Sequence, residues 1–147
     1  MQLQRLSLVV LTALTVACGD DARPVLKVGT NGTSFQRESV PSTATSPIAL
    51  VPTITWNRGD ATAFIPTCGA RVLPVVERLV SGSWVPYASG FCAAVMVMAP
   101  TELRAGESRN DEVAIGDAGH YRLRVTYWAD AGAKERYEAV SGEFDVQ

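Results

Sequence analysis

The stretch Asp117-Ala118-Gly119-His120-Tyr121-Arg122-Leu123-Arg124-Val125-Thr126-Tyr127-Trp128 decides the fold of this chain. From Tyr121 onward, apolar and polar side chains alternate at every second position, the period of a strand with one face inward and one outward. Tyr121, Leu123, Val125 and Tyr127 make the inner row; Arg122, Arg124, Thr126 and Trp128 make the outer one. Gly119, just ahead of the alternation, permits a tight entry into the strand.

The same period recurs on the N-terminal side. Ile48, Leu50, Ile54 and Trp56 alternate with Thr53, Thr55 and Asn57, and Asn57-Arg58-Gly59-Asp60 then turns the chain. Trp56 reads as the central aromatic of the core. Strands are expected from Ala63 to Ile65, from Val72 to Val80 and from Trp84 to Tyr87, the last two flanking the hairpin signal Ser81-Gly82-Ser83. Cys92 to Met98 reads as a compact apolar strand, and Glu102 to Ile115 carries a turn at Gly106-Glu107. Tyr137 to Val146 closes the set, with Phe144 and Val146 offered to the core. About eight short strands without helical spacing between them predict an all-β fold, a single antiparallel β-sandwich of about 7–9 strands.

Asp117 to Leu123 resembles the D-x-G-x-Y-x-C signature of immunoglobulin-type domains, with Leu123 in place of the cysteine. The resemblance implies a tyrosine corner built from Asp117, Gly119 and Tyr121, the Tyr121 hydroxyl bonding backbone across the turn while its ring enters the core. The missing cysteine removes the antibody-type bridge between sheets. Four further stretches (N-R-G-D, A-G-E, G-H-Y-R-L-R-V and S-G-E-F-D-V) widen the likeness. Together they resemble bacterial immunoglobulin-like lipoprotein domains and the related bacterial intracellular proteinase-inhibitor fold, over about Ile48 to Gln147.

At the N-terminus, Arg5 precedes an apolar run of 12 residues, Leu6 to Ala17. Crossing a hydrocarbon core takes about 20, so the run reads as a signal peptide rather than a permanent span. Leu14 to Cys18 resembles the bacterial lipobox, with Thr15 where Leu is usual and Leu14 displaced by one position. That likeness implies cleavage before Cys18 and a diacylglycerol thioether on its sulfur. The alternative is ordinary cleavage near Ala17, which leaves Cys18 unmodified. A lipidated Cys18 anchors the chain to a membrane of the bacterial cell envelope, and Gly19 rather than Asp after it favours the outer membrane where there is one. The expected organisation is a signal peptide over 1–17, a lipidated N-terminus and flexible tether over 18–33, whose short apolar run Val25 to Val28 offers an edge strand, and a sandwich over 34–147. Asn31-Gly32-Thr33 within the tether reads as a turn, and Pro41 to Pro47 as a loop.

Three cysteines make an odd count for an exported chain. With Cys18 given to lipid, Cys68 and Cys92 remain as a pair, and an oxidising compartment favours a disulfide between them. Zinc wants four ligands, and the chain has one histidine and no CxxC pair. A catalytic thiol wants a nearby base, and His120 is the one histidine available.

The formal net charge is −2, and loss of Arg5 makes it one unit more negative. Both signs are interspersed without a basic stripe, which argues against nucleic acid as a partner. Catalytic residues, metals and cofactors are not expected. His120 precedes Tyr121 and so should stand outside on its strand. Glu102, Glu107, Asp111 and Glu112 match no calcium loop or glycosidase spacing, and the glycines sit singly at turns rather than in a phosphate loop. The expected function is a non-enzymatic, lipid-anchored binding or structural module of the envelope, its partner an envelope protein or polymer. Its candidate surfaces are the Cys68–Cys92 region with Trp84 and Tyr87, and the outer face bearing Trp128. The alternative is a proteinase inhibitor that presents Pro66 to Arg71 as its inserted loop.

Overall fold

A computed structural model describes residues 22–39, 46–89 and 98–147. Their regular structure is entirely β, in twelve segments: β1 (Leu26–Thr30), β2 (Ser34–Phe35), β3 (Ala49–Asn57), β4 (Ala63–Cys68), β5 (Arg71–Val72), β6 (Val75–Val80), β7 (Ser83–Ser89), β8 (Met98–Leu103), β9 (Ser108–Ile115), β10 (Gly119–Trp128), β11 (Arg136–Val140) and β12 (Phe144–Val146). The smaller sheet has the order β1-β3-β9. The larger is organised around β10, which pairs with β12 and β11 on one side and with β6 and β4 on the other. Beyond these lie β7 on β6 and β8 on β4. All pairings are antiparallel except β2, which runs parallel to β12.

The alternation read in β10 is realised residue by residue. Tyr121, Leu123, Val125 and Tyr127 are buried, while Arg122, Arg124, Thr126 and Trp128 are partly exposed on the opposite face. The two inner faces close over one core, joined by Phe144 and Val146 from β12 and by Val51, Ile65, Leu103 and Ile115. Each fully buried large side chain contributes about 1.5–3 kcal/mol of transfer free energy, so the inner row of β10 is a principal stabilising element.

The segments outnumber the expected seven to nine strands because long strands are interrupted. β11 and β12 are two parts of one strand opposite β10, offset by one extra residue between the Arg124–Val140 and Tyr121–Phe144 pairs. That extra residue is a bulge. Ser141 repairs it: its N–H donates to Leu123 O at 2.9 Å and its Oγ accepts from Leu123 N at 2.8 Å. The expected hairpin between β6 and β7 has Ser81 and Gly82 at φ 49° and 80°. Two successive positive angles fit the two-residue hairpin whose twist matches its strands.

The facing of β3 corrects the sequence reading. Ala49, Val51, Thr53, Thr55 and Asn57 point inward and are buried, whereas Leu50 is exposed and Ile54 and Trp56 are half-buried on the outer face. Trp56 is therefore not the central aromatic. The inner space opposite is taken by Tyr121, Phe144 and Phe35, stacked or edge-on at centroid distances of 5.7–6.0 Å, and large rings on one sheet want small partners on the other. Asn57 fixes the register. Its Nδ2 donates to Ala61 O (2.7 Å) and Leu103 O (2.9 Å), and its Oδ1 accepts from Val25 N (3.2 Å) and Gly59 N (3.0 Å). A buried amide with both ends satisfied is stable inside, and turning it outward would strand the backbone groups that it serves. Outside, the Trp56 ring lies over Gly29 on edge strand β1, 3.5 Å from where a Cβ would stand.

The tether is also shorter than expected. Leu26–Thr30 is a strand paired along its length with β3, and Leu26 and Val28 belong to the core. Arg23 O and Val25 O accept from Asp60 N and Arg58 N, and the backbone here passes so close to Gly59 that a Cβ would sit 2.1 Å from Arg23 O. The sandwich thus takes up residues from about Arg23, not from 34.

Candidate functional site

The outer face of the larger sheet gathers most of the chemically distinctive side chains. Its axis is the outward row of β10, His120, Arg122, Arg124, Thr126 and Trp128. At the entry, Asp145 stands directly opposite His120 in the β10–β12 ladder. His120 Nδ1 lies 2.7 Å from Asp145 Oδ1, and Nε2 lies 2.7 Å from Glu143 Oε2. Carboxylates only accept, so both ring nitrogens serve as donors and the ring is held as an imidazolium. The hydrogen bonds to Glu143 and then to Asp145 raise the His120 pKa above its ordinary value. With neither nitrogen left to accept a proton, this arrangement does not form a general base.

Trp84 on β7 stacks at a tilt on the His120 ring, with centroids 5.8 Å apart, and carries the Arg122 guanidinium 4.4 Å from its own ring centre. Arg122 Nε donates to Glu77 Oε2 at 2.7 Å, and Arg124 donates to Glu77 Oε1. Glu77 lies on the outward side of β6 yet is 0 % exposed, because the two arginines cover it. Arg124 reaches on to Glu138 at 3.6 Å, and Glu138 also pairs with Arg136 at 2.9 Å. The arginines of this band are committed to carboxylates of the same face.

Past that band the face becomes apolar. Phe64 on β4 pairs with Trp128, and Pro66 pairs with Pro100 on β8. These four residues, with Asp130, Ala131 and Ala133 of the β10–β11 loop, line a cleft of about 210 Å³. The loop is turned by a hydrogen bond from Ala133 N to Asp130 O (3.1 Å), with Ala133 in the left-handed region at φ 52°.

Trp84 and Tyr87, expected to share a surface, do not, and Trp84 instead shares the outer face of Trp128. Trp84 and Trp128 lie on the same face toward opposite ends of β10, whereas Tyr87 belongs to the corner. Its ring packs edge-on against Tyr121 (5.2 Å), and its hydroxyl accepts from Asp117 N at 3.1 Å. At that corner the Tyr121 hydroxyl donates to Asp117 O at 2.9 Å while the ring is wholly buried, the geometry of a tyrosine corner. Burial pushes this hydroxyl's pKa up to about 12. Arg78 closes the turn from outside, donating to Ala118 O at 2.7 Å and lying 3.8 Å from Asp117 Oδ2. It occupies the space beside Gly119, where a Cβ would meet Arg78 Nε at 2.7 Å.

Pro66 to Arg71 is not a projecting loop. Pro66 to Cys68 are strand, Gly69 and Ala70 make a two-residue turn, and Arg71 is already in β5. Arg109 donates to Ala70 O and Arg71 to Glu112 O, so the turn is drawn down onto β9. The acidic residues are dispersed: Glu107 accepts from Arg104 N in its own turn, Asp111 accepts from Val72 N, and Glu102 stands opposite Phe64. No group of three potential metal ligands occurs among the described residues. Cys68 is buried at the end of β4; its expected partner Cys92, the expected lipid site Cys18 and most of the 92–98 strand lie outside the described residues.

Glu77, Glu143, Asp145 and the cleft residues Phe64, Pro100 and Asp130 were not among the expected site residues, and Pro66 was expected only as part of an inhibitor loop. Parity was available for several of them. In S-G-E-F-D-V, buried Phe144 and Val146 place Glu143 and Asp145 outside, and inward Ala63 and Ile65 place Phe64 and Pro66 outside. Cross-strand partnership was not available, because it depends on long-range pairing.

No family model and no curated protein matches this chain. Among solved structures, a structural genomics target, SoR45, is 13% identical, with 84% of each chain covered and a TM-score of 0.39. A β-glucosidase involved in saponin metabolism from intestinal bacteria is 11% identical over 86% of this chain and 16% of that one, with a TM-score of 0.36. A β-glucosidase from Kluyveromyces marxianus is 10% identical over 84% of this chain and 15% of that one, with a TM-score of 0.28. This chain spans about a sixth of either glucosidase, and the description of its fold rests on its own strand pairing.

Proposed function

We propose that this chain is a non-enzymatic, immunoglobulin-like binding module held on the bacterial cell envelope by lipid on Cys18. It engages an envelope protein or polymer through the outer face of its larger sheet. The observation that carries the reading is that face: a rigid, ion-paired platform leading into an aromatic cleft open to solvent. Aromatic residues in a concave surface are common anchors of recognition. The segment around Leu14 to Cys18 supports the anchor, since two or three acyl chains hold a protein stably at about 0.8 kcal/mol per buried methylene. A bond between Cys68 and Cys92 would tie the end of β4 to the chain that precedes β8.

Anchor and binding separate in one experiment. The chain is exported with an ordinary cleavable signal peptide in place of residues 1–18, so that it carries no lipid, and is mixed with isolated envelopes. The released protein should sediment with them, and Trp128→Ala should abolish sedimentation without altering the fold. Equal sedimentation of both forms, or of neither, refutes binding through this face. Metabolic labelling of the original chain with radioactive palmitate should label the protein, and Cys18→Ala should remove the label.

A further inference from the structure

The cleft beside Trp128 is apolar except at one point. Two aromatic rings, two prolines and two alanines line it, and its one ionisable group is the Asp130 carboxylate. The Asp130 carboxylate makes no hydrogen bond or ion pair with any described residue, although the Lys134 stem lies near it across Gly132. The walls are stiff: Phe64 and Trp128 stand opposite one another in paired strands, as do Pro66 and Pro100, and proline has a fixed φ. The loop that carries Asp130 is held by its own hydrogen bond, with a non-glycine residue in the left-handed region. Such a conformation is strained and persists where its surroundings over-determine it.

An unanswered carboxylate beside an aromatic face calls for a cation, which both attract. The size of the cleft limits that cation. At about 210 Å³ it falls short of the roughly 300–1,000 Å³ of sites for drug-sized ligands, and it suits a single side chain. Its apolar length calls for a group whose stem is hydrocarbon and whose charge sits at the tip, as in lysine. A sugar ring would leave most of its hydroxyls unpaired here, since the described lining offers one polar side chain.

Building on the proposal that this face engages an envelope partner, we infer that the cleft receives a lysine side chain of a partner polypeptide. The methylenes lie along Pro66, Pro100 and Phe64, and the ammonium lies between the Trp128 ring and the Asp130 carboxylate.

The test uses the purified chain labelled with nitrogen-15, whose three tryptophans give three indole N–H resonances. Trp128→Phe identifies one of them. The capped peptide Gly-Gly-Lys-Gly-Gly should move that resonance saturably at millimolar concentration and leave the other two in place. Norleucine or Nε-acetyl-lysine at the centre should bind about five- to tenfold more weakly, and Asp130→Asn should weaken the lysine peptide to a similar degree. Unmoved Trp56 and Trp84 signals in the variant show that its fold is intact. The inference is overturned by no shift up to about 10 mM, by equal shifts with norleucine, by indifference to Asp130→Asn, or by tighter binding of the same peptide with arginine at its centre. An envelope partner captured through this face whose binding survives acetylation of its lysines overturns the lysine assignment and leaves envelope binding standing.

Discussion

Tyr121→Phe removes one oxygen and leaves the aromatic packing of the core in place. The hydroxyl donates to Asp117 O at 2.9 Å, so its loss leaves a carbonyl short of a partner at the corner and should cost about 1–2 kcal/mol. Urea denaturation checks this, with an unchanged slope expected because the surface exposed on unfolding is the same. His120 gives a prediction in pH. Its folded pKa is raised by Glu143 and Asp145, so its contribution is fully present below the unfolded value of about 6.5. That contribution is lost as pH rises through the higher folded value. The difference in urea midpoint between wild type and His120→Gln should therefore be larger at about pH 5.5 than at pH 9. A difference that is constant or grows with pH would contradict the clamped imidazolium. Glu77 belongs to the same scale. Reading it as one of several surface acids would miss that it is wholly buried under Arg122 and Arg124, a fact that depends on the β6–β10 register.

Among the elements, β10 was legible in the sequence and β3 was only half so. In β10 the inner positions are all large and apolar, and the period alone orients the strand. In β3 the larger apolar residues, Leu50, Ile54 and Trp56, face out, while Thr53, Thr55 and Asn57 face in. Hydrophobicity points the wrong way because the strand faces bulky rings and because Asn57 binds the turns on either side of it. A one-residue change in facing inverts every side chain of a strand, so a local pattern with buried polar residues cannot settle it. The same long-range pairing draws in β1, where the apolar run Val25 to Val28 offered an edge strand within an expected tether. Trypsin gives a direct check. Lys27 lies within β1, paired opposite Trp56, and the Lys27–Val28 bond should survive limited digestion of the native chain. Rapid cleavage there, with the remaining domain intact, would return this segment to the tether.

For the whole molecule, the all-β sandwich followed from period and turn signals, while the position of the cleft did not. The cleft needs Phe64, Pro100 and Trp128 from three strands far apart in sequence, and composition carries no trace of their meeting. The cysteines work at this scale too. The proposed bond between Cys68 and Cys92 would close a loop of about 25 residues, and its reduction would then lower stability by about 3 kcal/mol. Urea unfolding with and without reductant measures that, and two titratable thiols in the unreduced, unfolded chain would remove the bond.

The central claim is that the outer face of the larger sheet, and not the opposite face of the sandwich, meets the envelope partner. Its most direct measurement places a photo-crosslinking amino acid at Phe64, inside the cleft, or at Leu50, exposed on the smaller sheet, and irradiates living cells. A discrete adduct is expected from position 64 that disappears with Trp128→Ala, and none from position 50. An adduct from position 50 alone, or the same adduct from both positions, would contradict it.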